Sequence, residues 1–538
     1  MRRALVLLLV LLALPTPAWA GPVEVVGALP SARVGAAAVA IGDGVIVAGG
    51  RLVDNLTDEI VRWTPTGAEV IGALPSPRYQ APALADGSDV FLFGGAAHDA
   101  QGRPAPLDEI VVIDAVTGAA RVTLDKLPDP AWGAALVERE DGVAFLFGGL
   151  TTGFSPPVAA RHDWVLRFDP LAPEGHRLTK LAATLPFPVQ DAAAARVGAV
   201  AYLMGGLGDN VTADPCPPED FVSQDGHAET YWPPLCKKDA VVAFDLRDEA
   251  SLGIVGHLDA RIQYAAGVTD GATAYAVGGV LADDTRTIAA RTFTPGVGAG
   301  VAGFELPEGR FGAAVAPVRG ATLLLGGRGE GETLLGDVVS LDVAAPWVVS
   351  APRALRASSE GVGVDLAWHA PALGSATGYR VFRGTDGGPQ ALLADLTGTS
   401  FHDATAQAGQ RYAYRVVAMD GDAEAGEAVV SGRVATAPEA PRHVAAHGDG
   451  LALADLARVV AVSWDAPADD GGAPILAFEV WRAVGHGERE RVATLPGSAR
   501  SFDDHAPLAS RARYDVVAVN VVGASPRSRA ASPGPLDL

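Results

Sequence analysis

The sequence predicts an all-β protein in which six similar four-stranded units are followed by two β-sandwiches. Three observations predict it. An apolar run ending on two glycines recurs six times, a Leu-Pro-type marker stands at a near-constant distance before each pair, and after about Pro352 the glycine pairs stop and alternating strands take over.

The glycine-pair segments are IVAGG (46–50), FLFGG (91–95), FLFGG (145–149), YLMGG (202–206), YAVGG (275–279) and LLLGG (323–327). The upstream markers are ALP (28–30), ALP (73–75), KLP (126–128), TLP (184–186), HLD (257–259) and ELP (305–307). From Pro30, Pro75, Pro186, Asp259 or Pro307 to the first glycine is 19 residues, and from Pro128 it is 20. Each glycine pair is followed by a third strand, such as DEIVRWTP (58–65) or DEIVVIDA (108–115), and then by a weaker fourth such as AEVIGAL (68–74). Strands like FLF and LLL read as continuous apolar runs, the pattern of strands covered on both faces.

Four strands at this period point to a β-propeller. Residues VEVVGAL (23–29) match a fourth strand, so the N-terminal strand is expected to complete the sixth unit and close the ring, removing exposed edges. The unit resembles the kelch repeat, whose mark is a glycine pair after the second strand of each blade. The usual Tyr and Trp after the glycines are here mostly aliphatic or Phe, which makes the chain a divergent member.

The C-terminal third carries two copies of one pattern. VDLAW (364–368), GYRVFR (378–383), TSFHD (399–403) and RYAYRVVAM (411–419) are matched by AVSW (461–464), AFEVWR (477–482), RSFDD (500–504) and RYDVVAVN (513–520). Both copies resemble fibronectin type III domains, with PADDGGAPI (467–475) typical of that family. The resemblance implies core anchors at Trp368 and Trp464 and a tyrosine corner at Tyr412, lost in the second copy where Ala512 stands. No Arg-Gly-Asp tripeptide occurs, and the pair is read as spacers. The expected organisation is a signal peptide over 1–20, a six-bladed kelch-type propeller over 21–345, a linker over 346–352, and tandem fibronectin type III-like sandwiches over 353–437 and 438–538.

Residues 1–20 have a basic start (Arg2, Arg3), an apolar stretch too short to span a bilayer, and Ala18-Trp19-Ala20 as a small-x-small cleavage site. Export to the periplasm, cell surface or medium follows. A formal charge of −22 disfavours nucleic acid and anionic lipid as partners, and no later stretch suggests membrane insertion. The two cysteines, Cys216 and Cys236, are expected to form one disulfide, contributing roughly 3 kcal/mol in the loop-entropy picture. A two-cysteine metal site is the alternative. No His or Cys set stands at zinc spacing, and no metal or cofactor is assigned.

Loops between second and third strands (51–57, 96–107, 150–162, 207–238, 280–287 and 328–336) are expected on one rim, where binding residues gather on a rigid scaffold. The fourth is longest and offers Asp209, His227, Tyr231 and Trp232 as contact candidates beside the cysteines. Arg33, Arg78 and Arg310 stand three residues after their prolines, with Arg261 read as their counterpart. Pointing inward they would bind an anion; repeated in register they serve as ties between strands. Copper radical oxidases of kelch type need a Cys–Tyr crosslink that paired cysteines do not leave available. The sequence also lacks GxSxG, HExxH and EF-hand patterns. The reading is therefore a monomeric secreted or cell-surface protein that binds an extracellular glycan or protein through the loop rim. The alternative is a carbohydrate-active enzyme with its site in the axial pocket.

Overall fold

The computed structural model describes residues 23–534 apart from 43, 152–159, 218–234, 344–347, 360–362, 386–387, 453–456 and 508–510. The proposed signal peptide and His227, Tyr231 and Trp232 lie outside the described residues. The chain is all-β, and its packing separates it into two compact units: residues 1–348 with 372–375, and residues 349–371 with 376–538.

Among the described residues, the first unit holds six antiparallel sheets of four or more strands, and a two-stranded sheet of Ala96–His98 and Pro104–Pro106. The first is Ala37–Ile41, Gly44–Ala48, Glu59–Thr64 and Gly67–Ala73; the second is Ala83–Asp86, Asp89–Phe93, Glu109–Asp114 and Ala120–Lys126. The third is Ala135–Glu138, Ala144–Phe147, Trp164–Phe168 and Leu178–Thr184. The fourth, Ala193–Val197, Val200–Met204, Leu235–Asp245 and Ala250–Gln263, is extended by the short strands Val189–Gln190, Leu207–Asp209 and Val280–Leu281. Ala266–Thr269, Ala274–Val277, Ala289–Thr294 and Gly298–Glu305 make the fifth. In the sixth, Ala314–Val318, Ala321–Arg328 and Leu334–Leu341 are completed by Glu24–Ala28, which pairs through Glu24 with Ser340 and Ala28 with Asp337.

Second and third strands are the buried ones, as the continuous apolar runs require: Gly44–Ala48 is buried throughout. Each sheet shares an apolar cluster with the next. Ile46 and Ile60 meet Leu92 and Val111, Phe91 and Phe93 meet Leu146 and Phe168, and Phe145 and Phe147 meet Leu203 and Phe244. Met204 and Val241 then meet Ala276 and Phe293, and Val277 and Ala290 meet Leu324 and Val339. The sixth sheet returns to the first through Leu323 and Leu325 against Val45 and Val61.

The glycine pairs sit at these junctions. Both residues of every pair have positive φ, 56–66° for the first and 87–108° for the second. A Cβ on the first glycine would lie 2.1–2.6 Å from a carbonyl oxygen of the next sheet's lead-in, as Gly148 does from Val189 and Gly326 from Arg33. The second glycine donates its N–H to that same carbonyl at 2.8 Å in all six cases, the last running from Gly327 back to Arg33. Close approach and left-handed backbone together explain why no other residue stands there.

The second unit contains two successive pairs of sheets. Arg353–Ser358, Val364–His369 and Ser400–Asp403 form one sheet; Ala391–Leu396, Gly378–Thr385, Arg411–Asp420 and Ala423–Arg433 form another. The pattern repeats in Arg442–Ala452, Ala457–Asp465 and Ser501–Pro507, and in Arg489–Pro496, Ala477–Val484 and Ala512–Val519. Trp368 packs edge-on to Tyr379 and Trp464 against Phe478, all buried. The Tyr412 hydroxyl accepts from the Gln407 N–H at 3.2 Å. Each copy also buries a carboxylate: Asp403 accepts from Tyr414 at 2.8 Å and Arg383 at 2.6 Å, and Asp504 from Tyr514 at 2.7 Å and Arg482 at 2.8 Å. The DDGG turn fixes the join between the copies, because Asn520 Nδ2 and Gly471 hold both sides of Thr436 at 2.7 and 2.8 Å.

Candidate functional site

The lead-in to each first strand carries a residue that the repeat markers do not advertise. Gly35, Gln80, Gly133, Asp191, Tyr264 and Gly312 all have φ between 53 and 66°. Their backbones form a closed cycle in which each N–H donates to the previous member's carbonyl: Gly35 to Gly312, Gln80 to Gly35, Gly133 to Gln80, Asp191 to Gly133, Tyr264 to Asp191 and Gly312 to Tyr264, at 2.7–3.1 Å. Around it runs a rim of bridges from the preceding residue of each lead-in to the residue just past the glycine pair, including Val34 to Arg51, Tyr79 to Ala96, Trp132 to Leu150 and Phe311 to Arg328.

Three ring positions carry side chains, and these turn toward one another. Asp191 lies over Gly133, where a Cβ would come within 2.5 Å of its Oδ1. Its carboxylate accepts from Gln190 Nε2 at 2.7 Å, Gln263 Nε2 at 3.2 Å and Gln80 Nε2 at 3.2 Å, and the Tyr264 hydroxyl hydrogen-bonds it as well. Burial pushes Asp191 up to about 6, against the opposing pull of the glutamine hydrogen bonds and the Arg161 charge. Burial also raises the phenols of Tyr264 and Tyr79, with the Asp191 charge adding to both. Aromatic pairs flank the cluster, Tyr79 with Trp132 at 5.3 Å and Tyr264 with Phe311 at 5.6 Å.

Several buried polar atoms at this end have no protein partner. Gln80 Oε1 and Gln190 Oε1 are acceptors of this kind, and Arg286 Nε and Arg328 Nε are donors. The remaining nitrogens of those two arginines share Glu332, with Arg328 at 2.6 Å. Arg51 is exposed on the rim, and its charge opposes the upward push on Tyr79.

The arginines singled out in the sequence are placed elsewhere. Arg33, Arg78 and Arg310 are at most 2% exposed. Each donates Nη1 to the first glycine's carbonyl, at 3.2 Å (Gly49), 3.2 Å (Gly94) and 3.3 Å (Gly326). Each also pairs with a carboxylate of the third strand: Glu59 at 2.5 Å, Glu109 at 2.9 Å and Asp337 at 2.8 Å. Where Ala131 replaces the arginine, the Trp164 indole takes the Gly148 carbonyl at 2.6 Å. Arg261 is not their counterpart. Ile262 occupies that register, its carbonyl meeting Gly205 and Gly206, so Arg261 turns instead to Cys236 Sγ at 3.2 Å and the Lys237 carbonyl at 3.3 Å.

Cys216 and Cys236 are disulfide-bonded and buried. Beside them the fully buried Lys238 pairs with Asp214 at 3.2 Å, and burial lowers the ammonium's pKa while Asp214 opposes that fall. Asp209 stands on the rim with its Oδ1 3.4 Å from Arg161, burial raising its pKa. Asp214, Asp239 and His257 come within 4.8 Å of one another. Lys238 already neutralises Asp214, Arg261 stands 4.0 Å from Asp239, and His257 Nδ1 lies 3.0 Å from Asp239 Oδ1, so both carboxylates already have partners.

No family model and no curated protein matches this chain. Among solved structures, "Structure of YjhT" aligns with a TM-score of 0.47 at 14% identity, covering 59% of this chain and 97% of that one. No helix among the described residues is long and apolar enough to cross a membrane.

Proposed function

We propose that the first unit is a six-bladed kelch-type β-propeller, that the second is a tandem of fibronectin type III-like spacers, and that the protein is exported to bind a hydroxyl-rich glycan at the ring end of the propeller. The observation that carries this reading is the set of partnerless buried polar atoms at that end. Gln80 and Gln190 offer acceptors, and Arg286 and Arg328 offer donors. Native proteins leave few such atoms, and those they leave mark places that water or a ligand fills. A hydroxyl group donates and accepts at once, so a sugar edge serves both kinds, and the Tyr79–Trp132 and Tyr264–Phe311 pairs add apolar faces. The disulfide supports an oxidising compartment.

The test is a glycan array read with the labelled full chain, with Gln80→Ala as the ring probe and Arg51→Ala as the rim probe. Wild type is expected to select neutral oligosaccharides, and Gln80→Ala to weaken its hits about tenfold, equivalent to roughly 1.4 kcal/mol. An array without hits, or hits untouched by both substitutions, overturns the reading. Trp232→Ala in the same assay reports whether the disulfide loop shares the contact.

A further inference from the structure

The Asp191 cluster is arranged so that both protonation states of one carboxyl are served. In the ionised state it accepts from the side-chain amides of Gln80, Gln190 and Gln263 and from Tyr264, donors drawn from the lead-ins to three different sheets. Turning those amide nitrogens inward is what leaves the oxygens of Gln80 and Gln190 without a partner. In the neutral state the carboxyl must donate its own O–H, and for the partly buried Asp191 a donor left without an acceptor carries a cost. Gln190 Nε2 stands 2.7 Å from Asp191 Oδ2, so a half-turn of that amide puts its oxygen at an ordinary O–H···O distance. On the glycan reading, the same oxygens are the acceptors a ligand hydroxyl would take.

We propose that the cluster is a one-proton switch of the ring end, in which a proton on Asp191 and a ligand hydroxyl compete for the amide oxygens of Gln80 and Gln190. The ligand half of this inference rests on the glycan reading; the proton half does not. Among the described residues, the charged and titratable groups facing Asp191 are Arg161 from the third unit's rim, Tyr264 from the fifth lead-in and Tyr79 from the second. Arg161 is itself paired with Asp209, Tyr79 is influenced by Arg51 of the first rim, and the sixth lead-in contributes uncharged Phe311 and Gly312. The sign is fixed by the upward displacement. Folding favours the proton, so the stability Asp191 contributes is fully present below the ordinary carboxylate range and is lost as pH rises through about 6. A ligand hydroxyl that takes an amide oxygen disfavours the neutral carboxyl and expels its proton, so affinity rises with pH across the same window.

The experiment uses the full chain with isotope-labelled glutamine, each side-chain amide assigned by a Gln→Met variant. The amides of Gln80, Gln190 and Gln263 are followed from about pH 4.5 to 7.5 in wild type and Asp191→Asn. The three amides are expected to move together with one midpoint near 6 and to stay flat in Asp191→Asn. Amides that do not move, or that titrate in Asp191→Asn, overturn the switch. Should Asp191→Asn fail to fold, Gln190→Met serves instead: it is expected to displace the midpoint shared by the other two amides, and an unchanged midpoint overturns the proposal. A neutral oligosaccharide hit from the array is then titrated at about pH 5 and 7.5. Wild type is expected to bind roughly tenfold tighter at the higher pH, and Asp191→Asn equally at both. Equal wild-type affinities overturn the competition while leaving the glycan reading intact. An empty array overturns the glycan reading, while the amide titration decides the proton switch independently.

Discussion

Gly148→Ala is expected to destabilise the first unit strongly, by about 4 kcal/mol or more. Two penalties combine. The residue has φ of +64°, where an L side chain costs about 1–2 kcal/mol. Its new Cβ would also stand 2.1 Å from the Val189 carbonyl oxygen, which is fixed by accepting the Gly149 N–H at 2.8 Å. Moving that carbonyl away breaks the link between the third and fourth sheets and disturbs Gln190 and Asp191 immediately after it. Gly296→Ala is the control, because its φ of +76° carries the same backbone penalty but its Cβ would meet nothing within 4 Å. It should cost about 1 kcal/mol. Scanning calorimetry of the full chain reads both. A Gly148→Ala protein melting within a degree or two of Gly296→Ala would show that the sheet junction yields easily.

That contrast also explains what could be read from the chain. The glycine pairs announced themselves because geometry forbids every alternative at those positions, so identity repeats with the fold. The ring residues stayed hidden for the opposite reason. They stand five residues after each marker, and reading down that column gives Gly, Gln, Gly, Asp, Tyr and Gly. The ring demands only a left-handed backbone and one N–H and one carbonyl from each member, which glycine supplies easily and the other three supply at some strain. The spacing was available; three glycines in register were the signal, and the three exceptions mark where side chains converge. Misplacing Arg261 by one residue has a similar origin. Its unit has Asp259 in place of the marker proline, and the arginine drew the register toward itself when the aliphatic Ile262 held it. Side-chain pairing across sheets, as in Gln80 with Asp191, depends on a closure that no local pattern encodes.

Arg310→Leu is expected to lower the first unit's melting temperature by roughly 4–5 °C, corresponding to about 3 kcal/mol in a unit of this size. The guanidinium is 2% exposed and joins the Gly326 carbonyl, at 3.3 Å, to both oxygens of Asp337, at 2.8 and 2.9 Å. Leucine fills much of the volume but leaves that carbonyl and carboxylate without their donor. Removing one member of a buried ion pair costs about 3–5 kcal/mol, and the 27% exposure of Asp337 lets water recover part, which places the effect at the low end. Arg310→Leu combined with Asp337→Asn should regain about half the loss, since the stranded charge is gone. A tie and an anion-binding residue separate cleanly here. The tie predicts that stability falls and that hits on the glycan array survive at temperatures where the variant is folded. An anion site predicts the reverse, an unchanged melting temperature with lost binding. The equivalent geometry of Arg33 with Gly49 and Glu59, and of Arg78 with Gly94 and Glu109, makes the same outcome the expectation for all three.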